Sequence, residues 1–212
     1  SENHIYGSIP REIGKLVNIT RLALSGNFLT GSIPESIGEL SKLGRIYLGD
    51  NNISGVIPTS IGNITKLSVL SLPNNMLQGS IPIELCNIST LQEVFLTKNS
   101  LGGVIPEQIV WFSSQCFVMN LDNNLFTGPL PSSIGSFKQL VQLDVSENRL
   151  TGYIPNTLGD CVMLEALLME GNQFEGRIPS SFKALKNLVI LDLSSNNISE
   201  NIPRFFDSFK LI

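Results

Sequence analysis

Leucines alternate with smaller or polar residues over Arg21-Leu22-Ala23-Leu24-Ser25, and the chain then passes through Asn27-x-Leu29-x-Gly31-x-Ile33-Pro34 and spaces its apolar residues out to Ile37 and Leu40. The alternation predicts a short strand with its leucines on one face and Ala23 on the other. The wider spacing predicts a returning segment whose apolar residues reach the same interior. The same order recurs as Ile46, Leu48, Ile53, Ile57, Ile61 and Ile64. A proline after an apolar residue closes the phrase at Pro10, Pro34, Pro58, Pro82, Pro106, Pro131, Pro155, Pro179 and Pro203, every 24 residues except for one step of 25. Self-similarity at this period predicts a solenoid, in which each copy buries its apolar face only against its neighbours.

One strand per copy, stacked at about 4.8 Å, gives a continuous parallel sheet over a common core. After each strand the chain turns inward and leaves backbone groups without sheet partners. An asparagine stands at each such place: Asn3, Asn27, Asn51, Asn75, Asn99, Asn124, Asn148, Asn172 and Asn196. An amide side chain offers donors and an acceptor to those groups, so the column is expected to form a hydrogen-bonded ladder. The glycines at 31, 55, 79, 103, 128, 152 and 176 point to a backbone conformation or close approach that a side chain would hinder. Glu200 breaks that column and suggests distortion there, and Trp111, beside the inserted residue, is read as packing over the bulge in preference to an exposed contact.

The repeats account for nearly all of the 212 residues, which predicts a single array over 1–212 of about eight full copies with partial copies at both ends and no caps. A formal charge of -4 argues against nucleic acid and anionic membrane surfaces as partners. No apolar run approaches the roughly 20 residues of a membrane span, and Ser1-Glu2-Asn3 is not a signal segment. Cys86, Cys116 and Cys161 fall in three different copies; Cys116 and Cys161 take core leucine places, while Cys86 takes a glycine place near the outer turn as an unpaired thiol. The single histidine, His4, has no cysteine or second histidine near it, so a metal centre or catalytic triad is not expected. Neither a phosphate loop nor kinase phrases occur, and no cofactor is implied. Glu165 and Glu170 could be an acid/base pair, but without a pocket-forming segment they read as acids on a solvated sheet.

The stretch Leu67 to Gly79 followed by Ile81-Pro82 resembles the plant-specific class of leucine-rich repeats, for which Gly-x-Ile-Pro is a marker. The phrasing around Pro58 and Pro82 is similar to ectodomains of plant receptor-like kinases, including the pattern-recognition subfamily. The resemblance implies an α/β-type repeat solenoid, a right-handed superhelix with a parallel sheet on its concave face and irregular or 3-10 turns on the convex side. It further implies an extracellular, non-enzymatic segment of a plasma-membrane protein that binds a peptide or microbial molecule and recruits a co-receptor, without touching the membrane itself. Receptor-like proteins lacking a kinase and secreted polygalacturonase-inhibiting proteins carry the same repeat and form the alternative. Ice binding by flat threonine arrays fits less well, because the exposed columns mix Ser, Asp, Phe and Arg.

The non-leucine strand places form a candidate binding face, beside the plainer reading of an ordinary solvated sheet with the ligand bound elsewhere on the ectodomain. Arg21 and Arg45 are basic, Tyr47 and Phe95 aromatic, and from Phe117 onward the face holds Asp122, Asp144, Glu147, Glu165, Glu170 and Asp192 with no lysine or arginine. Arginine and aromatic side chains dominate binding hot spots, which makes Arg21, Arg45, Tyr47 and Phe95 the first candidate contacts. Asp122, Glu147 and Glu170 are candidates for a cationic partner. Asp144 and Asp192 sit in phrases common in this repeat class, so a structural role is the simpler reading. Val69 and Gly49 also fall at expected exposed places. The N-x-S/T acceptors Asn18, Asn52, Asn63, Asn87 and Asn197 all lie off this face and fit glycans that leave it clear.

Overall fold

The structure, a computed structural model, describes residues 3–111, 115–199 and 202–204. Glu200 and the side chain of Trp111 lie outside the described part. Eight concave strands follow one another as β1 (Arg21–Ala23), β2 (Arg45–Tyr47), β3 (Val69–Ser71), β4 (Glu93–Phe95), β5 (Val118–Asn120), β6 (Gln142–Asp144), β7 (Ala166–Leu168) and β8 (Ile190–Asp192). They form one parallel sheet in strict sequence order, with Arg21 opposite Arg45, Val69 and then Glu93 along one column. Leu22, Ile46, Leu70, Val94, Met119, Leu143 and Leu167, the central residues of β1 to β7, are buried, as their alternation requires.

A second sheet, of seven strands from Ser54–Gly55 to Asn197–Ile198, runs beside the first, and Tyr6–Ser8 pairs with Phe28–Thr30 in a two-stranded extension. Ser32 bridges to Ser54 between the two groups. Each copy then passes its proline and makes one short 3-10 helix, as in Arg11–Lys15, Glu35–Glu39 and Thr59–Asn63. The proline is extended (Pro34 φ -72°, ψ 145°), and its carbonyl accepts the first helical bond from Ile37 N at 3.0 Å. The ring fixes φ near the value an N-terminal flank requires and presents no N–H to be orphaned. The core lies between the two sheets and these helices, and Ile37, Leu40, Leu43, Ile46 and Leu48 are wholly buried in it.

The ladder asparagines join one copy to the next. Asn148 Nδ2 donates to Val145 O (3.2 Å) and Ser146 O (2.9 Å) in its own turn and to Leu121 O (3.1 Å) in the preceding copy. Its Oδ1 accepts from Phe126 N at 3.0 Å. The pattern repeats at Asn51, Asn75, Asn99, Asn124, Asn172 and Asn196. Asn27 keeps the acceptor bond, from Ile5 N at 3.0 Å, and the donors within its own turn.

The glycine column has two causes at once. Gly176 has φ +77°, and a Cβ there would meet Tyr153 Cδ1 at 2.6 Å, because the side chain of the preceding copy lies across it. Val56 over Gly79 and Val104 over Gly128 repeat the arrangement. Cys86, Cys116 and Cys161 are all free and fully buried. Cys86 is unpaired and lies in the outer helix Ile83–Asn87, as its glycine place suggested, but it is buried in the core like the other two. Burial pushes the thiols up, Cys86 and Cys161 to about 11 and Cys116 to about 12, so each behaves as a small apolar residue.

Asn148→Ala would leave the buried Phe126 N–H and neighbouring carbonyls without partners. Urea unfolding should show a loss of at least about 2 kcal/mol, whereas the exposed Gln173→Ala should stay within about 0.5 kcal/mol. Equal midpoints for the two variants would contradict the ladder's structural role.

Candidate functional site

The concave sheet has four columns on its outer side, at the first and third residues of each strand and at the second and third residues after it. In the first column Arg21 and Arg45 are adjacent across β1 and β2 and both exposed. The Arg21 guanidinium carbon lies 4.8 Å from the centroid of the Tyr47 ring, so cation and ring make one unit. A concavity of about 620 Å³ opens beside them, lined by Arg21, Ala23, Ser25 and Tyr47 among others. Tyr47, Ser71 and Phe95 form one column across β2, β3 and β4, which places the two half-buried aromatic rings either side of a small residue. These four expected contacts, Arg21, Arg45, Tyr47 and Phe95, thus lie on one continuous patch.

The acidic half is less uniform than the sequence suggested. Asp122 is buried, at 9 % exposure, and both its oxygens are engaged: Oδ1 by Thr97 Oγ1 at 2.6 Å and Oδ2 by Asn123 Nδ2 at 2.9 Å. It is therefore a structural acid and not an open contact, because Thr97 of one copy and Asn123 of the next close over it. Val69 and Gly49 are buried as well, the latter pressed by the Pro73 ring of the following copy. Asp144 Oδ1 accepts from Ser146 N (3.0 Å) and Oγ (2.7 Å), and Asp192 Oδ1 accepts from Ser194 N (2.9 Å) and Oγ (2.6 Å). Both aspartates close the turn that follows their strand. The Ser194 bonds hold the Asp192 carboxyl below the usual carboxylate range.

Glu147 is exposed, adopts φ 50°, and lies against Gly171, whose missing side chain leaves room for the carboxylate. Glu170 is half-buried, and its Oε2 is sealed from solvent without a hydrogen-bond partner. Desolvation raises the pKa of Asp144, the bonds from Ser146 oppose the rise, and the charges of Asp122 and Glu170 add to it. Asp122, Asp144 and Glu170 therefore form a knot of uncompensated negative charge over β5 to β7.

Sequence reasoning passed over one further feature. Phe117 and Val141, one place before β5 and β6, join Met163, Gln92 and Lys138 around an edge concavity of about 650 Å³. The corresponding places in the first copies hold Thr20, Gly44 and Ser68, so the switch to apolar residues was a signal available in the chain. The acceptors Asn18, Asn52, Asn63, Asn87 and Asn197 are all exposed and lie off the concave strands, and Asn18 Oδ1 accepts from Lys42 Nζ at 2.7 Å. Among the described residues no group of His, Cys, Asp and Glu could hold a metal ion, and no helix is long and apolar enough to cross a membrane.

The leucine-rich-repeat family profile matches residues 17–77 and 118–174, and a second leucine-rich-repeat profile matches 187–209. Comparison with curated protein sequences returns no match. Among solved structures, the plant peptide hormone receptor RGFR1 in complex with RGF2 is 37% identical over 96% of this chain and 32% of its own, with a TM-score of 0.94. The Arabidopsis receptor kinase HAESA, in complex with the peptide hormone IDA and the co-receptor SERK1, is 35% identical over 97% of this chain and 34% of its own, at 0.93. The PEPR1–AtPEP1 structure is 35% identical over 97% of this chain and 32% of its own, at 0.88. The chain thus spans about a third of the length of each of these three structures.

A carboxyl whose folded pKa is raised adds stability that is complete below its unfolded value and is lost as pH rises through the folded one. Asp144→Asn keeps an oxygen for Ser146 and removes the charge. The variant should gain stability relative to the parent at pH 7, and the gain should vanish below about pH 3.9, the ordinary aspartate value. Chemical unfolding at both pH values reads the difference; a gain of equal size at both would show that charge is not its cause.

Proposed function

The chain belongs to the leucine-rich-repeat family, with repeats of the plant receptor-ectodomain kind, and from that premise we propose that it is an extracellular ligand-recognition segment of a plant receptor-like kinase. The ligand, a peptide or a microbial molecule, lies across the concave sheet, and a co-receptor completes the complex. The repeat makes a binding scaffold; signalling chemistry belongs to a kinase outside this segment. The observation that carries this reading is the patch of Arg21, Arg45, Tyr47 and Phe95. It gathers two cations and two rings on one sheet face, and neither arginine has a carboxylate within 4.0 Å among the described residues. Polar and aromatic groups held ready on a rigid sheet lose little entropy on binding. The similarity to receptors solved with peptide hormones supports the same reading.

In this proposal glycans on Asn18, Asn52, Asn63, Asn87 and Asn197 decorate the convex and lateral surfaces and leave the concave sheet clear. Protein secreted from plant cells should yield glycopeptides at these positions by mass spectrometry. If all five were unmodified, the extracellular assignment would lose that support.

Arg45→Glu with Phe95→Ala alters two side chains outside the buried core. Immobilised parent protein should retain peptides from a plant extracellular fraction that the double variant retains at least roughly tenfold less, with melting temperatures nearly equal. Identical retained sets would remove the patch as the binding site.

A further inference from the structure

The charges of the concave face are sorted along the stack. Over β1 to β4 the exposed and half-exposed places hold Arg21, Arg45 and Lys98 against Asp50 and Glu93; over β5 to β8 they hold acids alone. None of the acids there is neutralised from within: the only ion pairs among the described residues are Arg11–Glu12 and Lys138–Asp160, both away from this face. Glu170 is half-buried, and its Oε2 accepts no hydrogen bond among the described residues. Asp144, whose Oδ1 is held by Ser146, is desolvated among acidic neighbours with no cation beside it, and Glu147 stands exposed in the turn that follows.

We infer that the face selects a charge-ordered peptide, one whose lysine- or arginine-rich portion covers Asp144, Glu147 and Glu170 while its acidic portion lies over Arg21 and Arg45. The inference rests on the concave-face reading above and adds the ligand's chemistry and its direction. From β2 to β7 is five strand steps, about 24 Å at about 4.8 Å each, which an extended peptide crosses in about seven residues at about 3.3 Å per residue. The two charged portions are therefore separated by about that length. Exposed ion pairs contribute little affinity one at a time, but like charges brought together by the wrong order are repelled, so sorted charge selects direction more than strength.

The test uses synthetic peptides of about fifteen residues, enough to cover the seven-residue gap and both charged ends. Lysines are gathered at one end and glutamates at the other, in both chain directions, beside an isomer of identical composition in which the charges alternate. Titration calorimetry at low salt should give at least one sorted peptide a Kd roughly tenfold below that of the alternating isomer. Glu147→Gln with Glu170→Gln and Asp144→Asn should abolish the difference while the circular dichroism spectrum stays that of the parent. Equal affinity for sorted and alternating peptides, no binding of either, or a preference that survives the triple variant would each overturn the inference. If the preference fails while Arg45→Glu with Phe95→Ala still loses the retained plant peptides, the charge order is wrong and the concave-face reading stands.

Discussion

The asparagine amide is the constraint on which the rest of the molecule depends. Between the concave strand and the lateral strand the chain must turn inward, and its peptide groups there have no sheet to join. One side chain answers on both sides, with Oδ1 taking an N–H from the preceding copy and Nδ2 spread over carbonyls of two copies, as at Asn124 and Asn172. Because every amide spans a junction, the register of each copy is set by the one before it. The proline-led helices and the glycine column hold the outer side to the same spacing.

That dependence explains why so much could be read from the chain. Strand places, core residues and the amide column are all local to one copy and recur, so each copy repeats the evidence. What could not be read depends on neighbours that the alternation does not name. Val69 occupies an outer strand place but is buried, and Asp122 is closed over by the adjacent Asn123 and by Thr97 of the preceding copy. The lateral sheet was also invisible in advance. Its strands, such as Ser54–Gly55 and Met76–Gly79, are short and end in glycine, which weakens a strand pattern. The glycine place of Cys86 located it in the outer helix but did not tell that its side chain is buried in the core.

The candidate site was legible in part for a physical reason. Which columns face outward follows from the strand period, so Arg21, Arg45, Tyr47 and Phe95 could be placed on one surface before any coordinates. How their chemistry is coupled could not: the stacking of Arg21 on Tyr47 and the stranded Oε2 of Glu170 depend on rotamers. The local bonds from Ser146 and Ser194 likewise separate aspartates that close turns from carboxylates left open, a distinction composition does not make.

Tyr47 and Phe95 sit in one column two rungs apart. Two rungs measure about 9.6 Å, close to the roughly 9.3 Å turn of a three-residue polyproline-type helix. The stack thus acts as a ruler with its own graduation, and a guest wound at three residues per turn keeps phase with alternate marks.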